Sequence, residues 1–432
     1  MDLTYLIKYT TIKTISGGFL NSISLINYQG SKKKLLDFIH LNTASLINPN
    51  ETILDIFSGT SSVGYSFKNK NRIFANDSEE YAFVIANALL GEHPQISYNE
   101  ITSTILSRFL GNYEKQNNEY ISLARQEEIL LANESKNDIV QFYNNVPTIW
   151  NTKSLYDNRT KRHFCFELFT TYYSSTYFGI KQAMEIDSLR FALDIFKDSN
   201  LFYITLSCLF YAMKQCVFSK DGHTAQPLNM VKNSERLFKQ RKKSITDYFL
   251  SKLKEFFESS FVNTIFQNKV YNMDFKKLLS LSEIRNDVDF IYADPPYTDM
   301  QYSRYYHLLN IAANYNYAEP TVIKDSFTKG LYVNGRFQSA ISIKQKCQLH
   351  FNKLIEFAKA YNKNLAISFA YPTQNEQKTD RYVMSIHSIS QACIKYFGIK
   401  KVEIVSHSYN HSNNRNSSPK SVLEYLVLCR GR

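Results

Sequence analysis

Glycine and proline are scarce in this chain, 13 and 9 in 432 residues, so long flexible linkers between modules are not expected. The six cysteines, Cys165, Cys208, Cys216, Cys347, Cys393 and Cys429, stand far apart with no CxxC pair. That spacing argues against a zinc site or a disulfide framework and for reduced, mostly buried thiols. No second His or Cys stands at ligand spacing from His223, and no metal is expected. No apolar run approaches the roughly 18 residues of a membrane span. The N-terminus lacks an apolar stretch ahead of a small-residue cleavage site, so a cytoplasmic protein without membrane contact is expected. Acidic residues are also short: 39 Asp and Glu face 51 Lys and Arg, a formal charge of +12. Such an excess favours a polyanionic partner. What is abundant is apolar and aromatic: 44% hydrophobic and 15% aromatic residues describe a globular chain, long enough for two or three domains.

The most informative stretch is Asp294-Pro295-Pro296-Tyr297, which closes the apolar run Val288–Ala293. β-branched and aromatic residues make that run a strand. The two prolines lock φ and remove two backbone donors. A rigid extended turn thus holds Asp294 and Tyr297 at the carboxyl end of a strand, where open α/β sheets place their ligands. A carboxylate and proline carbonyls are acceptors only, and together they can take both protons of an exocyclic amine. Tyr297 can stack on the base that carries it. The target of such a site is an adenine or cytosine amino group attacking an electrophile. The bland alternative is a proline turn with a solvated aspartate.

Earlier in the chain, Thr52–Ile56 reads as a buried strand running through Asp55, Phe57, Ser58, Gly59 and Thr60 into a helix carrying Val63 and Phe67. Arg72–Asn76 reads as the next strand, ending in Asp77, a position from which an acid accepts from ribose hydroxyls. Ahead of both, Asn27-Tyr28-Gln29-Gly30-Ser31-Lys32 precedes helical apolar spacing at Leu35, Leu36, Phe38 and Ile39, with Ser31 as a candidate cap. Free amides and Lys32 at that terminus would meet an anion. Helical periodicity dominates from about Glu80 to Phe266, with bases among aromatics, and the run Lys239–Lys243 is expected at phosphates. Lys269–Phe275 is a strand ending in Asp274-Phe275, a carboxylate and ring suited to a purine. Strands are also expected at 364–369, 401–405 and 424–428, the last two joined as a hairpin by a mobile polar loop over 407–418. The first twenty residues carry little information.

Taken in order, these stretches resemble the Dam-type (alpha group, D12 class) adenine-specific DNA methyltransferases. Tyr28, Gly30 and Lys32 resemble motif X; Asp55 to Thr60, motif I; Asp77 closes motif II; Asp274-Phe275 resembles motif III, and Asp294 to Tyr297 is motif IV. Motif I carries Gly59 without the second closely spaced glycine of many relatives. The resemblance implies a Rossmann-like α/β fold, a mixed and mostly parallel sheet with a C-terminal hairpin. Residues 1–90 and 266–432 would form the catalytic domain and 91–265 a helical target-recognition insert. It implies S-adenosylmethionine as methyl donor, bound at Tyr28, Gly30, Lys32, Asp55, Phe57, Ser58, Gly59, Thr60, Asp77, Asp274 and Phe275. The target would be a flipped adenine in double-stranded DNA, held at Asp294, Pro295, Pro296 and Tyr297. A cognate restriction endonuclease or an orphan role both suit the family; oligomeric state is not indicated. Cytosine N4 methylation, guanine N2 methylation of RNA and a catalytically silent nucleic-acid-binding relative stay open.

Overall fold

The computed structural model describes residues 7–9, 25, 32–116, 118–151, 166–259, 263–296, 298–299, 301–371, 382–411 and 420–432. Ten strands occur among them: β1 (Ile7–Tyr9), β2 (Thr52–Asp55), β3 (Arg72–Asp77), β4 (Lys269–Asn272), β5 (Phe290–Ala293), β6 (Val322–Ile323), β7 (Ser326–Phe327), β8 (Asn364–Tyr371), β9 (Val402–His411) and β10 (Lys420–Cys429). Eight form one sheet in the order β1-β9-β10-β8-β5-β2-β3-β4, while β6 and β7 pair with each other. Only β10 runs antiparallel to its sheet neighbours, pairing with both β8 and β9. All other pairings in the sheet are parallel.

Alternation along the strands explains why both faces are covered. Ile53, Ile73, Phe290, Ala366 and Leu426 enter one core with Phe38, Ile39 and Val63. Their neighbours Leu54, Phe74, Ile291, Ile367 and Val427 enter the opposite one with Leu354, Ile355, Ile389 and Cys393. Strands buried on both faces read as continuous apolar runs, which is why they were visible in the sequence. The chain steps outward from β2 to β3 and β4, then returns to place β5 on the other side of β2. The crevice outside the carboxyl ends of β2 and β5 is thus the topological switch point.

The helical stretch packs four helices, Tyr98–Tyr113, Ile180–Leu193, Asn200–Cys216 and Ile245–Glu258, into a third core. Ile245–Glu258 shows the logic: Ile245, Phe249, Leu253 and Phe256 are fully buried at helical spacing, and the Ser244 hydroxyl accepts from the Asp247 amide at 3.0 Å to cap the first turn. That core is continuous with the helix Glu80–Leu90 behind β3 and with His307–Asn314 after the proline turn.

Three expectations are corrected. Residues 407–411 belong to β9 rather than a loop, since they continue the ladder with β10 up to the His411–Lys420 pair; residues 412–419 lie outside the described residues. The first twenty residues contribute an edge strand, β1, parallel to β9. The run Lys239–Lys243, expected at phosphates, does not present all of its bases to solvent. Arg241 is 5% exposed, donating to the Thr176 and Tyr177 carbonyls at 2.8 and 3.1 Å. Lys243 donates to the Gln215 carbonyl and Lys242 pairs with Glu134, so only Lys239 and Lys242 are exposed to a phosphate.

The described cysteines Cys208, Cys216, Cys347, Cys393 and Cys429 are buried and free. Among the described residues no helix is long and apolar enough to cross a membrane, and no cluster of ligating side chains could hold a metal.

Candidate active site

After β2 the chain turns through residues 56–61 into the helix Ser62–Phe67. Gly59 and Ser61 both take positive φ, +51° and +53°, so this tight turn uses the freedom of a glycine at its apex. The turn is pinned to the neighbouring strands. The Ile56 amide donates to the Tyr292 carbonyl at 3.1 Å, the Ser58 amide to the Asn76 carbonyl at 2.9 Å, and the Gly59 amide to Asp77 Oδ2 at 2.9 Å. Asp77 Oδ1 accepts from the Glu79 amide at 3.0 Å. Asp55 Oδ2 accepts from the Gly64 amide at 3.1 Å, and a side chain at Gly64 would crowd Ile73 at 3.0 Å and that oxygen at 3.4 Å.

Across the crevice, β5 delivers Asp294 and the two prolines. Asp294 Oδ1 lies 3.1 Å from the Lys32 ammonium, which also lies 2.8 Å from Glu424 Oε1 on β10. Lys32 opens the short helical turn Lys32–Leu35 ahead of the helix Leu36–Thr43 and is 4% exposed. The expected cofactor-carboxylate partner is therefore already bracketed by two protein carboxylates. Beyond β4, Asp274 caps the helix Phe275–Leu279, accepting from the Lys276 amide at 2.9 Å. The buried Phe275 ring packs against Phe57 with centroids 5.5 Å apart.

These elements enclose one cleft of about 1060 Å³, part of it open to solvent. Every expected site residue that is described lines it: Lys32, Asp55, Phe57, Ser58, Gly59 and Thr60 from the amino-terminal part, then Asp77, Asp274, Phe275, Asp294, Pro295 and Pro296. Tyr28, Gly30 and Tyr297 lie outside the described residues. The sequence reading missed Asn76, Glu79, Gln301, Ser303 and the segment Phe337–Ser339, which complete the wall. Glu79, two residues past Asp77, carried the one usable signal; residues 337–339 have no periodicity and reach the cleft only through tertiary folding.

Crowded carboxylates set the electrostatics. Burial pushes the Asp55 carboxyl up to about 7 against the Gly64 amide, with Asp294 and Asp77 adding to the rise. Burial likewise raises Asp77, opposed by amides including those of Glu79 and Gly59. Glu79 rises to about 8, chiefly by burial, although Asn310 donates to it at 2.6 Å. Ser58 Oγ, Asn76 Oδ1 and Ser303 Oγ are buried at this cleft without a hydrogen-bond partner. Buried polar atoms left unpaired are costly, and a polar ligand in the cleft would satisfy them. A nucleoside with hydroxyls and ring nitrogens fits that set, beside the Asp77 carboxylate and the Phe275 ring.

A family model for the D12 class N6 adenine-specific DNA methyltransferases matches residues 28–377. The chain belongs to this family. Among curated relatives, it is 24% identical over 299 residues to Type II methyltransferase M.FokI of Planomicrobium okeanokoites, covering 68% of this chain and 38% of that protein. It is 24% identical over 295 residues to modification methylase LlaI of Lactococcus lactis subsp. lactis, 68% of this chain and 39% of that one. It is also 24% identical over 300 residues to Type II methyltransferase M.NlaIII of Neisseria lactamica, covering 67% and 70%. This D12 chain thus spans about two-fifths of the length of the first two. The family match ends before β9 and β10, so the structure adds strands, and with them Glu424, to what the D12 model covers.

Proposed function

We propose that this D12 chain transfers a methyl group from S-adenosylmethionine to the N6 amine of an adenine flipped out of duplex DNA. One observation carries the reading. Asp294 and the two prolines sit at the end of β5, across the switch-point crevice from the Gly59 turn and Asp77, with all of them lining a single cleft. When bound, S-adenosylmethionine supplies an activated methyl on a sulfonium, so the protein's task is positioning. The Gly59 turn, Asp77, Asp274 and the Phe57–Phe275 pair would hold it. Asp294 and the Pro295 carbonyl would accept the two hydrogens of the target amine, favouring a pyramidal nitrogen with its lone pair directed at the methyl group.

Residues 91–265 would bind the duplex and choose the sequence, and the exposed Lys239 and Lys242 suit phosphate contacts. A place beside a restriction endonuclease is supported by the relatives named as modification methylases.

Parallel incubations of labelled S-adenosylmethionine with unmethylated genomic DNA and with RNA, then digestion to nucleosides, test the reading. Label in N6-methyladenine is expected. Label in N4-methylcytosine, label in guanine of RNA only, or none at all would overturn it.

Replacing Asp77 by alanine is expected to weaken S-adenosylmethionine binding by about 1–3 kcal/mol, the range for a buried charged hydrogen bond. The Gly59 amide would lose its acceptor as well, loosening the turn. Calorimetry that found unchanged affinity would place the ribose elsewhere.

A further inference from the structure

Glu424 is a buried carboxylate that the proposed reaction leaves without a role, and it lies beyond residue 377, outside the stretch matched by the family model. It stands on β10, fully buried, with Ala370 on β8 and His407 on β9 as register partners. Oε1 accepts from the Lys32 ammonium at 2.8 Å and from the Ser368 hydroxyl; Oε2 is buried with no hydrogen-bond partner. Glu424 does not line the cleft; it reaches it through Lys32, whose ammonium is 3.1 Å from Asp294. Two carboxylates thus share one ammonium. With all three ionised the cluster carries one net negative charge, an unusual arrangement for so buried a place.

We propose that Glu424 is a positioning residue for methyl transfer: through Lys32 it fixes Asp294 against the target amine and keeps the cluster negative, so that Asp294 takes up the proton the methylated amine must release. This rests on the reaction proposed above. As the amine nitrogen forms its bond to the methyl carbon, the carbon–sulfur bond of the donor breaks with its electrons left on sulfur. The nitrogen then carries a positive charge. One N–H proton passes to the Asp294 carboxylate, the N–H electron pair returns to nitrogen, and the proton leaves to water at the cleft mouth. A net-negative cluster favours the developing cation, and removing one of its charges would weaken that preference.

The surroundings agree in sign. Burial pushes Asp294 up to about 7; Lys32 holds it down while Glu424 pushes it up. A carboxyl near neutrality is matched to accepting a proton at neutral pH. Among the described residues, the groups that face the cluster include Asp55 on β2, Tyr292 on β5, Ser368 on β8 and His407 on β9. Asp294 must start ionised, so activity is lost as pH falls through its pKa.

Two substitutions displace that acid limb in opposite directions. E424Q keeps the shape and removes a like charge, so the limb of the single-turnover rate on unmethylated genomic DNA should move to lower pH by about one unit. Its plateau should fall about tenfold as the cation loses stabilisation. K32M removes the opposite charge, and its limb should move to higher pH. The same shifts should appear, without DNA or methyl donor, in the infrared band of the protonated Asp294 carboxyl, assigned by subtracting the spectrum of D294N. A merely structural Glu424 would lower the rate at every pH and leave limb and band in place, and that result overturns the proposal. Should E424Q not fold, E424D, which keeps the charge but draws it back from Lys32 and Asp294, should still move the limb to lower pH, and an unmoved limb overturns the proposal. Wild-type protein that forms no N6-methyladenine would sink the reaction itself, while the infrared midpoints still read the Glu424–Lys32–Asp294 coupling.

Discussion

Asp294→Ala is expected to lower the rate of methyl transfer by about a hundred- to a thousand-fold while leaving affinity for S-adenosylmethionine within a few-fold of wild type. The size follows from what the side chain does: removing one preorganised group at a reacting atom typically costs about a hundred- to a thousand-fold in rate. Here the Pro295 carbonyl alone would remain to hold an amine whose lone pair is delocalised into its ring. The selectivity follows from geometry. Asp294 directly follows β5 and pairs with Lys32, whereas the Gly59 turn is tied to Asp77 and Asn76 on β3. The substitution also leaves Lys32 in a closed, neutral pair with Glu424, so no uncompensated buried charge is created and the fold should persist. Single-turnover rates and titration calorimetry on the same preparation check both halves. A loss of cofactor affinity in proportion to the loss of rate would move Asp294 from the amine to the cofactor.

Asp294 and Asp77 were legible in the sequence for one reason: each ends a run of buried β-branched and aromatic residues, and carboxylates at such strand ends face the crevice. The same property made β2, β3, β5 and β8 visible, since both of their faces are buried. Where that signal fades, the reading fades with it. β1 is three residues long and exists only because β9 offers it an edge. The carboxyl half of β9, from His407 to His411, is polar enough to resemble a loop, yet the ladder to β10 supplies its hydrogen bonds. Glu424 interrupts an apolar strand as a single acid, and nothing local marks its partner, which is 392 residues away in the chain. Its role emerges only when β10 is threaded between β8 and β9 and its side chain meets Lys32. Arg241 is the converse case: local composition pointed outward, and tertiary packing turned it in.

That inversion yields the second large effect. Arg241→Ala is expected to destabilise the protein by about 3 kcal/mol, a figure built from two charge-assisted hydrogen bonds at roughly 1.5–3 kcal/mol each, less partial relaxation. The guanidinium donates to the carbonyls of Thr176 and Tyr177 and sits between the Tyr143 and Phe218 rings, 5.3 and 5.4 Å from their centroids. Alanine would leave the Thr176 carbonyl unpaired and open a void beneath both rings. The damage would spread to the start of the helix Ile180–Leu193. There Glu127 accepts from the Ile180 and Lys181 amides at 2.9 and 3.0 Å, and Gly179 is packed so tightly that a side chain would meet Glu127 at 2.7 Å and Arg241 at 3.0 Å. The exposed neighbours should behave in the opposite way. Neutralising Lys239 and Lys242 together should alter stability by less than about 0.5 kcal/mol. It should also flatten the salt dependence of duplex binding by up to about two units of log–log slope, equally for any sequence. Chemical unfolding and salt titrations on the two variants separate the roles. A shift below about 0.5 kcal/mol in Arg241→Ala would return that residue to the surface and to the phosphates.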